Sequence, residues 1–434
     1  MTDSAPSPDH LRRTTPPHAP RPWPLPVTES PRIRALETAL AGAAAADRAG
    51  HVDAFLAELG AAGAPLIEPA DVPSHRVVTF LYRGPAPFVY LFANKLTDPF
   101  TPAEGRLRQV GESDLATLSL RMPADWICSY HFLTPEAELE AGGRLSIRDV
   151  MRQSASLLPD PRNPRQRPNK LLPQAPHSIV ELDRAPQEPA TADFDDWRSV
   201  GAPITLPVSR TKVEATVRSH PAASPDSPTM LLLDGEVWLD DELLAGALSA
   251  RIAEGTCPPL HLVYLPSGGP DDRILDYPAG PLQQRELLTQ VVDALEAAVP
   301  GWHGGLIPAG QSLGGLFALF AAVRAPELVR AAVGQSPSLW WPTVEAPELS
   351  PGAWFAELGA AGECAPCVVQ LGRTEWVLQE AVLHAREFLR GIGSLVETPT
   401  DLVTGGHDVA WWRRTLPDAI AVAATSIGGP SANS

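Results

Sequence analysis

Gly310-Gln311-Ser312-Leu313-Gly314 lies between a strand-like run at Leu306-Ile307 and an apolar helical run from Leu316 to Val323. In that strand-turn-helix setting a G-x-S-x-G serine becomes a nucleophile. The turn is tight and strained, so side chains flanking the serine would collide with backbone, and glycines take their place. Such a turn pushes Oγ out over the edge of a sheet. The start of the next helix adds partial positive charge and N–H groups, which makes the amide of Leu313 one half of an oxyanion hole. The chemistry to expect is attack on an acyl carbon. In a chain with 33 glycines the bare pentapeptide also arises as a turn with a passive serine, and the flanking elements separate the two readings. Pro308 has no N–H to give a ladder, so pairing is expected to stop near it.

A serine hydroxyl is a poor nucleophile until an imidazole takes its proton. Of 11 histidines, the order nucleophile, acid, base leaves His384 and His407 downstream of Ser312. His384 falls inside a helical run, Glu380 to Leu389, where facing solvent is its ordinary place. His407 follows the strand-like Asp401-Leu402-Val403 in Gly405-Gly406-His407-Asp408, a loop able to carry a ring over the sheet edge, and is the expected base. The hydroxyl of Ser312 and the ring of His407 are therefore expected to meet at the rim of a parallel sheet. For the acid that orients the imidazole, Glu375 in Leu371-Gly372-Arg373-Thr374-Glu375 fits best. Asp401 and Glu380 stand in reserve, a dyad without a carboxylate is a further alternative, and Asp408 is poorly placed to reach its neighbour's far nitrogen. The second oxyanion donor is expected from Gly235 in Leu233-Asp234-Gly235-Glu236, although Asp-Gly is equally an ordinary turn signal.

These residues need a parallel sheet to hold them. After about residue 203 the chain alternates short apolar strands (230–233, 260–264, 305–307, 329–333, 368–371) with apolar-periodic helices (282–298, 314–324, 376–390). That rhythm implies a mostly parallel sheet covered on both faces, and with the G-x-S-x-G turn upon it residues 203–434 read as an α/β-hydrolase domain. Upstream, 77–82, 88–92 and 126–133 are β-branched or aromatic runs separated by turn residues, which predicts a small Ig-like β-sandwich. With helices over 31–62 it makes an N-terminal domain of residues 31–155. Residues 1–30 are rich in proline and read as a mobile tail. Residues 156–202, also proline-rich, read as a connection whose Arg165, Arg167 and Lys170 are either solvated or in reach of substrate.

Composition narrows the function. A net charge of −17 argues against nucleic acid as a partner, because phosphate neutralisation needs a basic face. Four cysteines are too few for a disulfide scaffold, and Cys364-Ala-Pro-Cys367 lacks the second pair a zinc site needs, so no metal is expected. No apolar run suits a secretory signal or a membrane span, which makes the cytoplasm the expected compartment.

Four blocks resemble the enterochelin (enterobactin) esterases in order and spacing: Leu231 to Trp238, Ala309 to Leu316, Gln335 to Pro342, and Gly405 to Asp408 with Trp412-Arg413 behind it. Val78 to Arg83, Asp125 to Phe132 and Asp160 to Pro164 are similar to that family's N-terminal domain and connection, so the resemblance spans roughly residues 75–425. It implies hydrolysis of the trilactone esters of catecholate siderophores, often iron-loaded, with iron released inside the cell and no cofactor. It also implies that Arg273, in Asp272-Arg273-Ile274-Leu275-Asp276-Tyr277, grips the anionic catecholates. Here Asp276-Tyr277 departs from the family's glutamate-leucine ending. Trp340 and Trp341 offer flat faces to catechol rings or pack a loop onto the sheet.

Two rival classes remain at this level. The same fold serves other carboxylic esters and thioesters or moves acyl groups to acceptors other than water, and a two-domain protein of this kind can hold ligands without turning them over.

Overall fold

The computed structural model describes residues 13–17, 19–98, 101–139, 157–170, 174–239, 241–342 and 353–426. They fall into two compact bodies. The N-terminal body comprises Pro20–Gln187 with Thr404–Trp411, and the α/β body comprises the rest.

The N-terminal body opens with α1 (Pro31–Gly42) and α2 (Arg48–Ala57). Ser30 caps α1 by accepting the Ile33 N–H at 3.1 Å, with Pro31 at the first helical position. The hydroxyl satisfies an orphan amide, and the fixed φ of proline suits the first turn. Ile33, Leu36 and Leu40 then share one face and pack with Val52, Phe55 and Leu81. The strands are β1 (Leu66–Pro69), β2 (His75–Arg83), β3 (Tyr90–Ala93), β4 (Arg108–Gln109), β5 (Leu115–Pro123), β6 (Ile127–Leu133), β7 (Leu157–Leu158), β8 (Gln166–Arg167) and β9 (His177–Glu181). They make two antiparallel sheets, β1-β2-β5-β4 and β3-β6-β9-β8, with β7 beside β6. Phe80 and Leu120 of the first and Cys128, Tyr130 and Phe132 of the second belong to one apolar cluster.

Two expectations are corrected. The stretch expected to be a tail is built in from residue 13: Arg13 lies over the Trp341 ring, Ala19 accepts the indole N–H of Trp376 at 2.8 Å, and Val27 bridges Leu120. Residues 1–12 lie outside the described residues. Proline here sets extended backbone that docks by side chains and carbonyls, so composition misled. The expected connection is also structured, since β9 pairs with β6 and Asp160 accepts the Tyr130 hydroxyl at 2.7 Å. Arg165, Arg167 and Lys170 are exposed.

The α/β body holds β10 (Arg198–Thr205), β11 (Lys212–Ser219), β12 (Thr229–Leu233), β13 (His261–Leu265), β14 (Leu306–Gln311), β15 (Ala332–Gln335), β16 (Cys367–Gly372) and β17 (Leu402–Val403). Its helices are α3 (Gly235–Trp238), α4 (Glu242–Ala253), α5 (Pro270–Asp276), α6 (Pro281–Ala298), α7 (Leu313–Arg324), α8 (Ala353–Ala361), α9 (Trp376–Gly391) and α10 (Val409–Ser426), the last entering from the N-terminal body. The sheet runs β10-β11-β13-β12-β14-β15-β16-β17, antiparallel for the first two pairings and parallel beyond. Alternate residues serve opposite faces: Leu231, Leu233, Val263 and Leu265 pack on one side, Met230, Leu232, Leu262 and Tyr264 on the other. Both faces are covered, which is why these strands read as unbroken apolar runs.

Pro308 does not end β14, which runs on to Gln311 and keeps Pro308 opposite Leu231. Leu306 sends its N–H toward the β15 side, to Leu328, and the ladder with β15 resumes at Ala309. The missing donor of Pro308 falls in that gap, where it costs no ladder bond. Cys364 and Cys367 are free thiols with Sγ atoms 3.6 Å apart. No cluster able to hold a metal occurs among the described residues, and no helix among them is long and apolar enough to cross a membrane.

Candidate active site

Strand order reverses at β12, which has β13 on one side and β14 on the other. At such a switch point the loops leaving the carboxyl ends of the two strands diverge and open a crevice. Asp234-Gly235 leaves β12 there, and Ser312 leaves β14.

Ser312 has φ 58° and ψ −119°, a conformation that L-residues avoid and that persists only when the surroundings enforce it. Three contacts enforce it. The Ser312 amide donates to the Gln335 carbonyl at 3.1 Å, its carbonyl accepts the Ser338 amide at 3.0 Å, and the backbone of Gly314 passes so close to Gly310 that a Cβ on Gly310 would collide with it. Leu313 begins α7, whose residues from Leu313 to Val323 are all buried. That anchored helix starts at the residue after the serine, and the first turn of a helix leaves amides without a partner in its own ladder. The Ser312 hydroxyl lies 3.2 Å from the hydroxyl of Ser338, itself buried.

The β12 loop is fixed with equal care. Asp234 takes a left-handed φ of 54°, its amide donates to the Tyr277 hydroxyl at 2.7 Å, and its carboxylate pairs twice with Arg273, at 2.7 and 2.8 Å. Arg273 also donates to the Gln311 carbonyl at 3.1 Å and stacks over Tyr277. Burial opposes the Arg273 cation, yet the facing Asp234 charge outweighs it and raises the guanidinium pKa. Gly235 is pressed against the β13 backbone at Leu265, where a side chain would overlap.

Arg273 was expected to grip substrate. In the structure its guanidinium joins the β12 loop to the residue before the nucleophile, and so joins the two expected halves of an oxyanion hole. Asp276 and Tyr277, which depart from the resembled pattern, have their own work: Asp276 accepts the Val208 and Ser209 amides at 2.7 and 3.2 Å, and Tyr277 receives the Asp234 amide.

Glu375 lies just past β16 and is completely buried, accepting the Ser336 hydroxyl at 2.6 Å and the Gly372 amide at 2.9 Å. Ser336 in turn accepts the indole N–H of Trp412 at 3.0 Å. The reserve acids are otherwise occupied or exposed. Asp401 pairs with Arg386 and accepts the Thr398 amide at 2.9 Å, while Glu380 faces solvent. His384 is exposed on α9, with its ring tilted against that of Phe355.

His407 sits between β17 and α10, in the Thr404–Trp411 segment that belongs to the N-terminal body. Its carbonyl accepts the Asn94 side-chain N–H at 2.7 Å. Trp340 and Trp341 are half-buried, and Trp341 meets Phe320 edge-on at 6.2 Å.

Sequence reading missed the polar floor beneath these loops. Gln311 and Gln335 end β14 and β15, and Gln370 lies in register beside Gln335 on β16; Gln311 donates to Gln335 and Gln335 to Gln370, each at 2.8 Å. Thr415 joins from α10 at 2.9 and 3.0 Å. All four are buried and hydrogen-bonded, which fixes the strand ends carrying Ser312 and Ser336. The repeated Gln-Ser dipeptide at the ends of β14 and β15 was the available signal.

Comparison with known proteins fits this architecture. Residues 77–191 match the family model for the enterochelin esterase N-terminal domain, and residues 209–422 match the Esterase model. The chain is 29% identical over 408 residues to an iron(III) salmochelin esterase of Escherichia coli O6:H1, covering 86% of this chain and 95% of the relative. It is 26% identical over 417 residues to an iron(III) enterobactin esterase of Dickeya dadantii, covering 84% and 91%. The fold matches the ferric enterobactin esterase of Salmonella typhimurium with a TM-score of 0.74 at 20% identity, over 86% of this chain and all of that one. It matches an enterobactin esterase from Shigella flexneri, crystallised in the presence of enterobactin, with a TM-score of 0.70 at 20% identity, over 84% and 97%. Two domain models in order, and relatives aligned over most of their length, place this chain in the enterochelin esterase family.

Proposed function

We propose that this protein is a serine esterase that hydrolyses the trilactone ester bonds of catecholate siderophores such as enterobactin, in ferric or iron-free form, and so releases iron in the cytoplasm. Ser312 Oγ attacks the ester carbonyl while His407 takes its proton, and Glu375 orients the imidazole and stabilises its cation. The oxyanion of the tetrahedral intermediate faces the amides of Leu313 and Gly235. On collapse, His407 passes the proton to the departing serine alkoxide of the siderophore. Water then attacks the acyl-enzyme, giving its proton to His407 and restoring Ser312.

The observation that carries this reading is the left-handed Ser312 at the switch point, backed by a helix N-terminus and flanked by a second pinned loop. Trp340 and Trp341 are the candidates for flat faces against catechol rings. Arg273, which also anchors the donor loop through Asp234, is the candidate for gripping the anionic catecholates. The two antiparallel sheets of the N-terminal body are read as an immunoglobulin-like sandwich, because both feed one apolar cluster.

The test is incubation of the purified protein with ferric enterobactin, iron-free enterobactin and a simple aryl ester in water, with products identified by mass. Linear trimer and smaller catecholoyl-serine fragments are expected from the first two, and none from Ser312→Ala. Turnover of the aryl ester alone would discard the substrate and keep the mechanism.

A further inference from the structure

His407 follows the α/β body's last strand in sequence, yet the residues around it are held by the N-terminal body through Ile127, Ser129 and Asn94. The Ile127 amide of β6 donates to the Thr404 carbonyl at 3.1 Å. The Ser129 amide and hydroxyl both donate to Asp408 Oδ2, at 2.6 and 2.9 Å, while Asp408 Oδ1 accepts the Ala410 amide at 2.8 Å. Asn94, just past β3, donates to the His407 carbonyl at 2.7 Å. The Trp411 indole N–H closes the loop on itself by donating to the Gly406 carbonyl at 2.6 Å.

The glycines show how close this seat is. A Cβ on Gly406 would overlap the Asn94 carbonyl, and one on Gly405 would press on the Ile127 carbonyl at 2.9 Å and on the Trp411 ring at 3.0 Å. Asp408 is 2% exposed, and its carboxylate receives three hydrogen bonds, two from the sheet and one from the first turn of α10. A buried carboxylate with full hydrogen-bonding fixes position more strictly than apolar packing does.

We infer that the N-terminal body is the seat of the general base: Asn94, Ser129 and Asp408 are positioning residues that set the His407 backbone. This rests on the reading of His407 as the base. Asp408 has no part as the triad acid, and it acts through the backbone on either side of the imidazole. A base displaced by about 1 Å loses on the order of 100-fold in rate, and the loss falls on chemistry rather than on substrate binding.

The experiment uses the full chain and measures kcat and KM on the aryl ester, the rate of inactivation by a fluorophosphonate, and the thermal midpoint. Gly406→Ala and Asp408→Asn are expected to lower kcat and the inactivation rate together by about 100-fold, with KM within about 2-fold. Ser129→Thr, which keeps the hydroxyl, is expected to retain several times the kcat of the isosteric Ser129→Val. His407→Ala serves as the reference. If His407→Ala is inactive while Gly406→Ala and Asp408→Asn keep wild-type kcat, the seat is overturned and the base stands. Activity persisting in His407→Ala overturns the base itself. Should Gly406→Ala or Asp408→Asn fail to fold, the Ser129 pair decides, and equal kcat in its two members overturns the inference.

Discussion

Ser336 repeats, one strand over, the backbone of Ser312. Each follows a glutamine at the end of a parallel strand, each takes a left-handed φ, 58° at Ser312 and 48° at Ser336, and each donates its amide to the glutamine carbonyl of the next strand. The hydroxyls differ in partner: that of Ser312 meets Ser338, and that of Ser336 meets Glu375. One elbow presents a nucleophile, and the other braces a buried carboxylate.

Glu375→Gln is expected to lower kcat by about 10³- to 10⁴-fold, the cost of an imidazole left without its orienting charge. The amide oxygen still accepts from Ser336 and Gly372, so the thermal midpoint should move little. Asp401→Asn loosens the tie to Arg386 and Thr398, and it should cost about 1–3 kcal/mol of stability while kcat stays within about 3-fold. Steady-state kinetics beside denaturant melts would separate the two carboxylates, and loss of kcat in Asp401→Asn alone would reassign the acid.

Ser338→Ala removes the hydroxyl 3.2 Å from the nucleophile. A neutral hydrogen bond of about 1 kcal/mol corresponds to roughly a 5- to 10-fold change in rate. Fluorophosphonate labelling of Ser312 should slow by that factor, since the labelling reads nucleophile and base without substrate binding.

Arg273→Met leaves Asp234, which is 9% exposed, without its counter-charge. Removal of one partner of a nearly buried pair costs about 3 kcal/mol, and displacement of the donor loop should lower kcat by about 10²-fold. The double variant Arg273→Met with Asp234→Asn is expected to regain most of the stability and little of the activity. Urea melts of the single and double variants measure the first, and acylation rates the second.

His131, on β6, donates from Nε2 to the Ala175 carbonyl at 3.1 Å, and burial first, then the neighbouring His177, lowers its pKa to about 4. The fold therefore holds it neutral, while the unfolded chain takes up a proton near pH 6.5. Its contribution is complete above pH 6.5, declines as the pH falls from 6.5 to about 4, and is gone below that, a loss of about 3 kcal/mol. The melting temperature of the wild type should drop more steeply between pH 7 and pH 4.5 than that of His131→Gln, which keeps a donor for Ala175. Parallel slopes would refute the assignment.

What the sequence disclosed was set by where each signal resides. Strands β12 to β16 lie between two covered faces, so their apolar runs stood out, as did α7, buried from Leu313 to Val323. Strands β10 and β11 escaped because they are partly exposed and interleave polar with apolar residues, as Lys212-Val213-Glu214 does. The proline-rich stretches were misjudged because docking by backbone carbonyls, as at Ala19, leaves no mark in composition. Ser312 was legible because its strain demands glycine neighbours. The pairing of Arg273 with Asp234 was not, because it depends on two loops from different strands meeting at the switch point.

The segment Thr404–Trp411 also bears on how the protein is made. While the chain is being synthesised, β6 is present long before the residues that complete its edge, so the Ile127 and Ser129 amides wait without their final acceptors. The front half of the nascent polypeptide thus leaves the ribosome with an unfinished strand margin, the kind of surface that chaperones shield. It reaches its finished form only when Thr404 and Asp408 are delivered.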